Sequence, residues 1–163
     1  MKILIIGHAR HGKDTVAGII GGLTGMRFES SSMAACRIFI FDMLKHKYAY
    51  RNVAECFEDR FNHRSEWYEL ICWYNRNDKA RLAKNILAEN DIYVGMRDRE
   101  EIRECIKQGV FDVVVGVFDP REELEQSDSF NIDVWEESDI VIMNNSTLDD
   151  LEKRVKLLVC GMV

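Results

Sequence analysis

Apolar residues along this chain keep two rhythms. Short unbroken runs at 3–6 (Ile-Leu-Ile-Ile), 92–94 (Ile-Tyr-Val), 113–118 (Val-Val-Val-Gly-Val-Phe) and 140–143 (Ile-Val-Ile-Met) have the pattern of strands buried on both faces, as in parallel sheets. Each is followed by a polar or charged stretch of helical character. Residues 13–23 read as the first helix. Another is predicted over 98–108, stopped by Gly109, and a last one over 147–159, opened by Thr147 as N-cap with Asp150 three residues on. Strands alternating with helices predict an α/β fold, a parallel sheet covered on both sides.

Between about 33 and 90 the rhythm changes. No clear strand is present there; apolar residues such as Phe39, Met43, Phe57 and Phe61 recur at helical spacing among basic ones, which predicts three or four helices inserted before the strand at 92. Pro120, the only proline, ends the strand at 113–118 and begins an acidic stretch, 119–139. There are no internal repeats or low-complexity tracts.

A chain of 163 residues has room for one well-buried core, so a single domain is expected. No segment approaches the apolar length that a membrane span needs. The opening "MKILIIGHAR" reads as a buried strand and not as a secretory signal, so a cytoplasmic protein is expected (the host cytoplasm if it is phage-encoded). The cysteines, odd in number and never in CxxC spacing, suit reduced thiols better than a disulfide framework. A net charge of −6 argues against a broad nucleic-acid-binding face, so any anion site has to be concentrated.

The concentrated candidate is "GHARHGKDT". Gly7, four residues, then Gly12-Lys13 follow a strand and enter a helix, the context a phosphate-binding loop requires. Glycine-permitted backbone aims N–H groups inward, the helix N-terminus adds partial positive charge, and Lys13 supplies a full charge at the β/γ-phosphates. His8 and His11 read as exposed positions on a loop curled around phosphate, and Arg10 as a further phosphate contact. Most such loops place the magnesium-binding hydroxyl directly after the lysine; here Asp14 intervenes before Thr15.

"GKDT" resembles the loop of the P-loop nucleoside and deoxynucleoside monophosphate kinases, the phage type in particular. The resemblance implies a P-loop three-layer sandwich with a helical acceptor-binding insertion (about 33–90) and a short lid (about 119–137). It also implies transfer of the γ-phosphoryl group of ATP, with Mg²⁺, to a nucleoside or deoxynucleoside monophosphate. Gly7, Arg10, His11, Gly12, Lys13, Asp14 and Thr15 would then bind the donor, with Asp14 and Thr15 also at the metal. Residues 31–37, "SSMAACR", are similar to the family's acceptor-site segment and imply that Arg37 grips the acceptor phosphate. Residues 92–101, "IYVGMRDREE", look like its strand-to-helix crossing and give the same role to Arg97. Arg64 falls near a further acceptor-binding arginine. "SDIVIMNNSTLDDLEKRV", residues 138–155, also resembles the closing strand, turn and helix of dephospho-coenzyme A kinases, which places Asn144, Asn145 and Ser146 at the donor adenine.

Two departures from the family pattern matter. The acidic residue usual near the end of the third strand is missing, with Tyr93 and Gly95 in that neighbourhood; Asp14 or Asp98 could compensate, though Asp98 also suits plain helix capping. The lid has Arg121 as its only basic residue, although this chemistry depends on positive charge at the migrating group. Either Arg121 acts catalytically beside Lys13 and Arg97, helped by the helices at 51–81, or the lid is degenerate. The segment 60–81 mixes arginines with Trp67, Tyr68, Trp73 and Tyr74, which suits either base stacking or a core stripe with a solvated face. Two alternatives therefore stay open: a P-loop kinase acting on a hydroxymethylated pyrimidine in phage DNA, and a nucleotide-binding protein without catalysis. The main reading expects no nucleic acid or membrane partner and leaves a homodimer open.

Overall fold

The computed structural model describes residues 1–126 and 130–162; residues 127–129 of the expected lid lie outside the described residues. Five parallel strands form one sheet in the order β2-β3-β1-β4-β5. They are β1 (Ile3–Ile6), β2 (Phe28–Ser30), β3 (Ile92–Val94), β4 (Val113–Phe118) and β5 (Ile140–Met143). β1 is central: Leu4 lies opposite Tyr93 of β3 on one side and Val114 of β4 on the other. All four of its residues are fully buried, which is why it reads as an unbroken apolar run.

The strands' alternation splits the core in two. Ile3, Ile5, Ile92, Val94, Val115 and Val117 face α1 (Lys13–Thr24) and the last helix. Leu4, Ile6, Tyr93 and Val114 face the inserted helices and the helix after β3. The insertion begins directly after β2 with α2 (Ser31–Ala35), which runs through a π-helical turn (Cys36–Ile40) into α3 (Phe41–Leu44). It continues with α4 (Val53–Glu58), a 3₁₀ turn (Asp59–Asn62), α5 (Arg64–Tyr74) and α6 (Arg81–Glu89). Within the expected basic and aromatic segment, Trp67 and Tyr74 are core residues, while Trp73 is exposed.

α7 (Arg99–Lys107) is capped by the Asp98 carboxylate, which accepts from the Glu100 N–H at 2.7 Å, and ends before Gly109 in the left-handed region. α8 (Leu148–Met162) starts after Thr147, whose Oγ1 accepts from the Asp150 N–H at 3.3 Å. All five cysteines are free thiols. Among the described residues no helix is long and apolar enough to cross a membrane.

A buried polar node fastens the insertion to α7. Asn75, at the end of α5, donates from Nδ2 to Glu101 Oε1 at 2.7 Å and accepts the Leu82 N–H of α6 at 3.1 Å. Burial pushes the Glu101 carboxyl up to about 7, against the opposing effect of the Asn75 hydrogen bond. Because that value is raised above the ordinary carboxylate range, the group's contribution to stability is fully present below about pH 4.5 and is lost as pH rises through about 7. Glu101→Gln keeps an acceptor for Asn75 and removes the buried charge. The variant should be more stable than the parent by about 2–3 kcal/mol near pH 8, with no gain near pH 4; urea unfolding midpoints at the two pH values check this, and an equal gain at both would refute the assignment.

Candidate active site

The loop 7–12 leaves the carboxyl end of β1, the edge of an open parallel sheet where ligands bind. Gly7 cannot carry a side chain there, since a Cβ would lie 2.4 Å from the Val117 carbonyl oxygen. Gly12 has φ of 96° and a Cβ would lie 2.6 Å from Asn144 Nδ2. It is the N-cap of α1 and offers no side-chain hydrogen bond, so the first amides of that helix face outward with their partial positive charge. Lys13 Nζ donates to the His8 carbonyl at 2.6 Å. Burial lowers the Lys13 pKa, with Arg97 contributing in the same sense, so an anion set against this ammonium relieves the cost of its desolvation.

The insertion supplies the opposite wall. A cleft beside the loop is lined by Lys13, Asp14, Ser32, Arg60, Gly95 and Arg97. It continues into a second cleft walled by Arg60, Phe61, Arg64, Trp67, Tyr68 and Arg97. Arg97 follows the left-handed Gly95 at the end of β3. Arg60 stacks on Phe57 and Phe61, 3.8 and 4.1 Å from the ring centres, and burial together with the nearby Arg64 lowers its pKa. Positive charge is therefore crowded here. Arg60 was not singled out from sequence; its only signal was membership of the arginine and aromatic mixture at 60–81.

Arg64 and Arg97 thus meet, as expected, but Arg37 does not join them. Its guanidinium is held by Glu29 of β2 at 3.0 Å and by Glu89, the last residue of α6, at 3.7 Å. Arg60, and not Arg37, lines the cleft with Arg64 and Arg97. Asp14 and Thr15 are exposed on the first turn of α1. Among the described residues no three metal-binding side chains cluster. Asp98 caps α7.

On the other flank, Asn144 Nδ2 donates to the His11 carbonyl at 3.2 Å, which fixes the 144–146 turn against the loop. Arg121 grips Asp119 in a two-pronged ion pair and donates to the carbonyls of Asn144 at 2.9 Å and Ser146 at 3.1 Å. The pair holds the Asp119 carboxyl down at about 2. Arg121 therefore sits with the turn expected to pass the base, on the far side of the loop from Arg64 and Arg97. Asn145 Oδ1 accepts from Arg154 at 2.7 Å and the Ser146 hydroxyl donates to Asp150 at 2.5 Å.

The loop histidines correct the sequence expectation. His11 is fully buried and His8 half-buried, because both are used to seat the segment after β4. His11 Nδ1 accepts the Asp119 N–H at 3.0 Å while Nε2 faces the Glu123 carbonyl at 3.4 Å. His8 Nδ1 accepts the Glu125 N–H at 3.1 Å, and burial followed by the neighbouring His11 ring lowers the His8 pKa. Arg10, in the left-handed region at φ of 66°, pairs with Glu122 at 3.3 Å. The acidic segment thus lies folded onto the loop.

Sheet order and glycine-lysine loop together define a P-loop α/β fold. No protein-family model and no curated protein sequence matches the chain. Solved structures share its fold at low identity. Shikimate kinase from Acinetobacter baumannii, in complex with shikimate, is 13% identical, with a TM-score of 0.54 over 98% of this chain and 93% of that one. Dephospho-CoA kinase from Campylobacter jejuni is 13% identical, with a TM-score of 0.54 over 99% and 98%. Shikimate kinase from Aquifex aeolicus gives 13% and 0.53 over 99% and 97%.

The histidine contacts have a measurable consequence. His11→Leu removes the acceptor for a buried amide and should cost roughly 1–3 kcal/mol, seen as a lower urea midpoint. An unaltered midpoint would show that the Asp119 N–H does not depend on the imidazole.

Proposed function

We propose that this chain is an ATP-dependent kinase that transfers the γ-phosphoryl group to a nucleoside or deoxynucleoside monophosphate. The observation that carries this is the cleft beside Lys13, where Arg60, Arg64 and Arg97 meet the aromatic side chains of Phe61, Trp67 and Tyr68. Guanidinium forks suit a phosphate, and flat apolar walls suit a base. The fold shared with solved small-molecule kinases supports the same class of chemistry.

In this reading the donor's phosphates lie on the loop and the first turn of α1, with Lys13 at the β/γ position. The donor base passes the 144–146 turn, where Arg121 closes its edge. Asp14 and Thr15 offer exposed oxygen atoms on the first turn of α1, which fits a magnesium ion bound mainly through phosphates and water. Asp14 and Thr15 would hold such an ion beside the loop, where it would supply charge neutralisation for the donor's phosphates. Arg97 and Arg64 hold the acceptor phosphate, and Arg60 adds charge between acceptor and Lys13. Phosphoryl transfer needs positioning and charge, not a nucleophilic side chain, so this set suffices.

A coupled ADP-release assay with each common ribo- and deoxyribonucleoside monophosphate tests the reading. Turnover with at least one is expected, and none with any would sink it. Lys13→Ala should lower kcat by roughly 10³-fold. Arg97→Ala should raise the acceptor KM by about 10- to 100-fold and leave ATP affinity unchanged; equal loss of both would place Arg97 elsewhere in the reaction.

A further inference from the structure

Glu125 has no part in the reaction so far described, yet it lines the acceptor cleft. Its side chain is 8% exposed and forms ion pairs with Arg97 and, at 3.9 Å, with Arg64. Both partners use Oε1; Oε2 is buried and has no hydrogen-bond partner among the described residues. Its backbone is pinned by His8, and the preceding residues by the Arg10–Glu122 and His11–Glu123 contacts.

An orphaned carboxylate oxygen between guanidinium groups marks an anion site incompletely satisfied by its occupant. We infer that Glu125 is an internal surrogate for the acceptor's anionic group, and that its competition makes the site select phosphate monoesters over carboxylates. This rests on the reading that the Arg60–Arg64–Arg97 cleft takes the acceptor. A free carboxylate offers the arginines only what Glu125 already offers, and it competes against a tethered group whose effective concentration is on the order of millimolar or above. A phosphate brings a second charge and a third oxygen, enough to engage Arg64, Arg97 and Arg60 together. The displaced Glu125 carboxylate passes into water and leaves no buried charge behind.

Binding titrations of inorganic phosphate, a nucleoside monophosphate and acetate test this on the parent protein and on Glu125→Gln. The variant should bind both phosphate probes roughly tenfold more tightly and should bind acetate, which the parent does not. On the parent, saturating phosphate should speed amide exchange at residues 119–126, because the segment loses its anchor. Weaker or unchanged phosphate binding in the variant, or exchange that phosphate slows or leaves alone, would overturn the proposal; so would failure of phosphate to bind either protein. Tighter phosphate binding without any monophosphate turnover would keep this inference and remove the proposed substrate. Turnover with an unchanged acceptor KM in Glu125→Gln would do the reverse.

Discussion

Lys13, Arg60, Arg64 and Arg97 face connected clefts, and cations held this close repel one another unless something negative lies between them. That repulsion governs the arrangement around the loop. It acts where burial has already removed much of the water that would screen it; burial is the main cause of the lowered pKa values of Lys13 and Arg60, and the neighbouring Arg97 and Arg64, respectively, add to it. The chain answers from its own sequence. The acidic segment after β4 folds back across the loop, so Glu122 meets Arg10 and Glu125 meets Arg64 and Arg97. An overall charge of −6 is thus compatible with a strongly positive cleft, because part of the excess acid is placed on it.

The segment's seat is built from neutral contacts as well as charges. His8 and His11 accept backbone N–H groups from Glu125 and Asp119, which requires each accepting nitrogen to be unprotonated. Histidine suits this position better than lysine or arginine, which have no acceptor to offer and would add to the local positive charge. The same two residues belong to the loop, so the conformation of the phosphate site and the position of the acidic segment are mechanically joined. Asn144, bonded to the His11 carbonyl, extends that joint to the turn after β5.

Much of the fold was legible in the sequence because it follows from burial. The four apolar runs are four of the sheet's five strands, and the caps Asp98 and Thr147 do what their side chains are suited to do. β2 was missed because it is three residues long, lies at the sheet edge, and exposes Phe28, so no apolar run announces it. The loop and the meeting of Arg64 with Arg97 were legible from motif and spacing. Arg37 was misplaced because a basic residue on a helix after β2 can turn toward the cleft or toward Glu29 and Glu89, and local sequence does not say which. His11 and Glu125 were hidden for a related reason. Their roles arise from contacts between segments far apart along the chain, His11 with Asp119 and Glu125 with His8, Arg64 and Arg97, and no periodicity carries that information.

The placement of Arg121 bears on how charge is divided across the site. Tied to Asp119 and to two carbonyls of the 144–146 turn, it is neutralised locally and stands on the base side of the loop. Positive charge at the cleft therefore comes from Lys13, from Arg60 and Arg64 of the insertion and from Arg97 after β3, and not from the segment that sequence pattern reads as a lid. A short acidic lid is then no defect in the design. With arginines supplied by the insertion and by the turn after β3, the segment after β4 brings a carboxylate to them in the Glu125 ion pairs with Arg64 and Arg97.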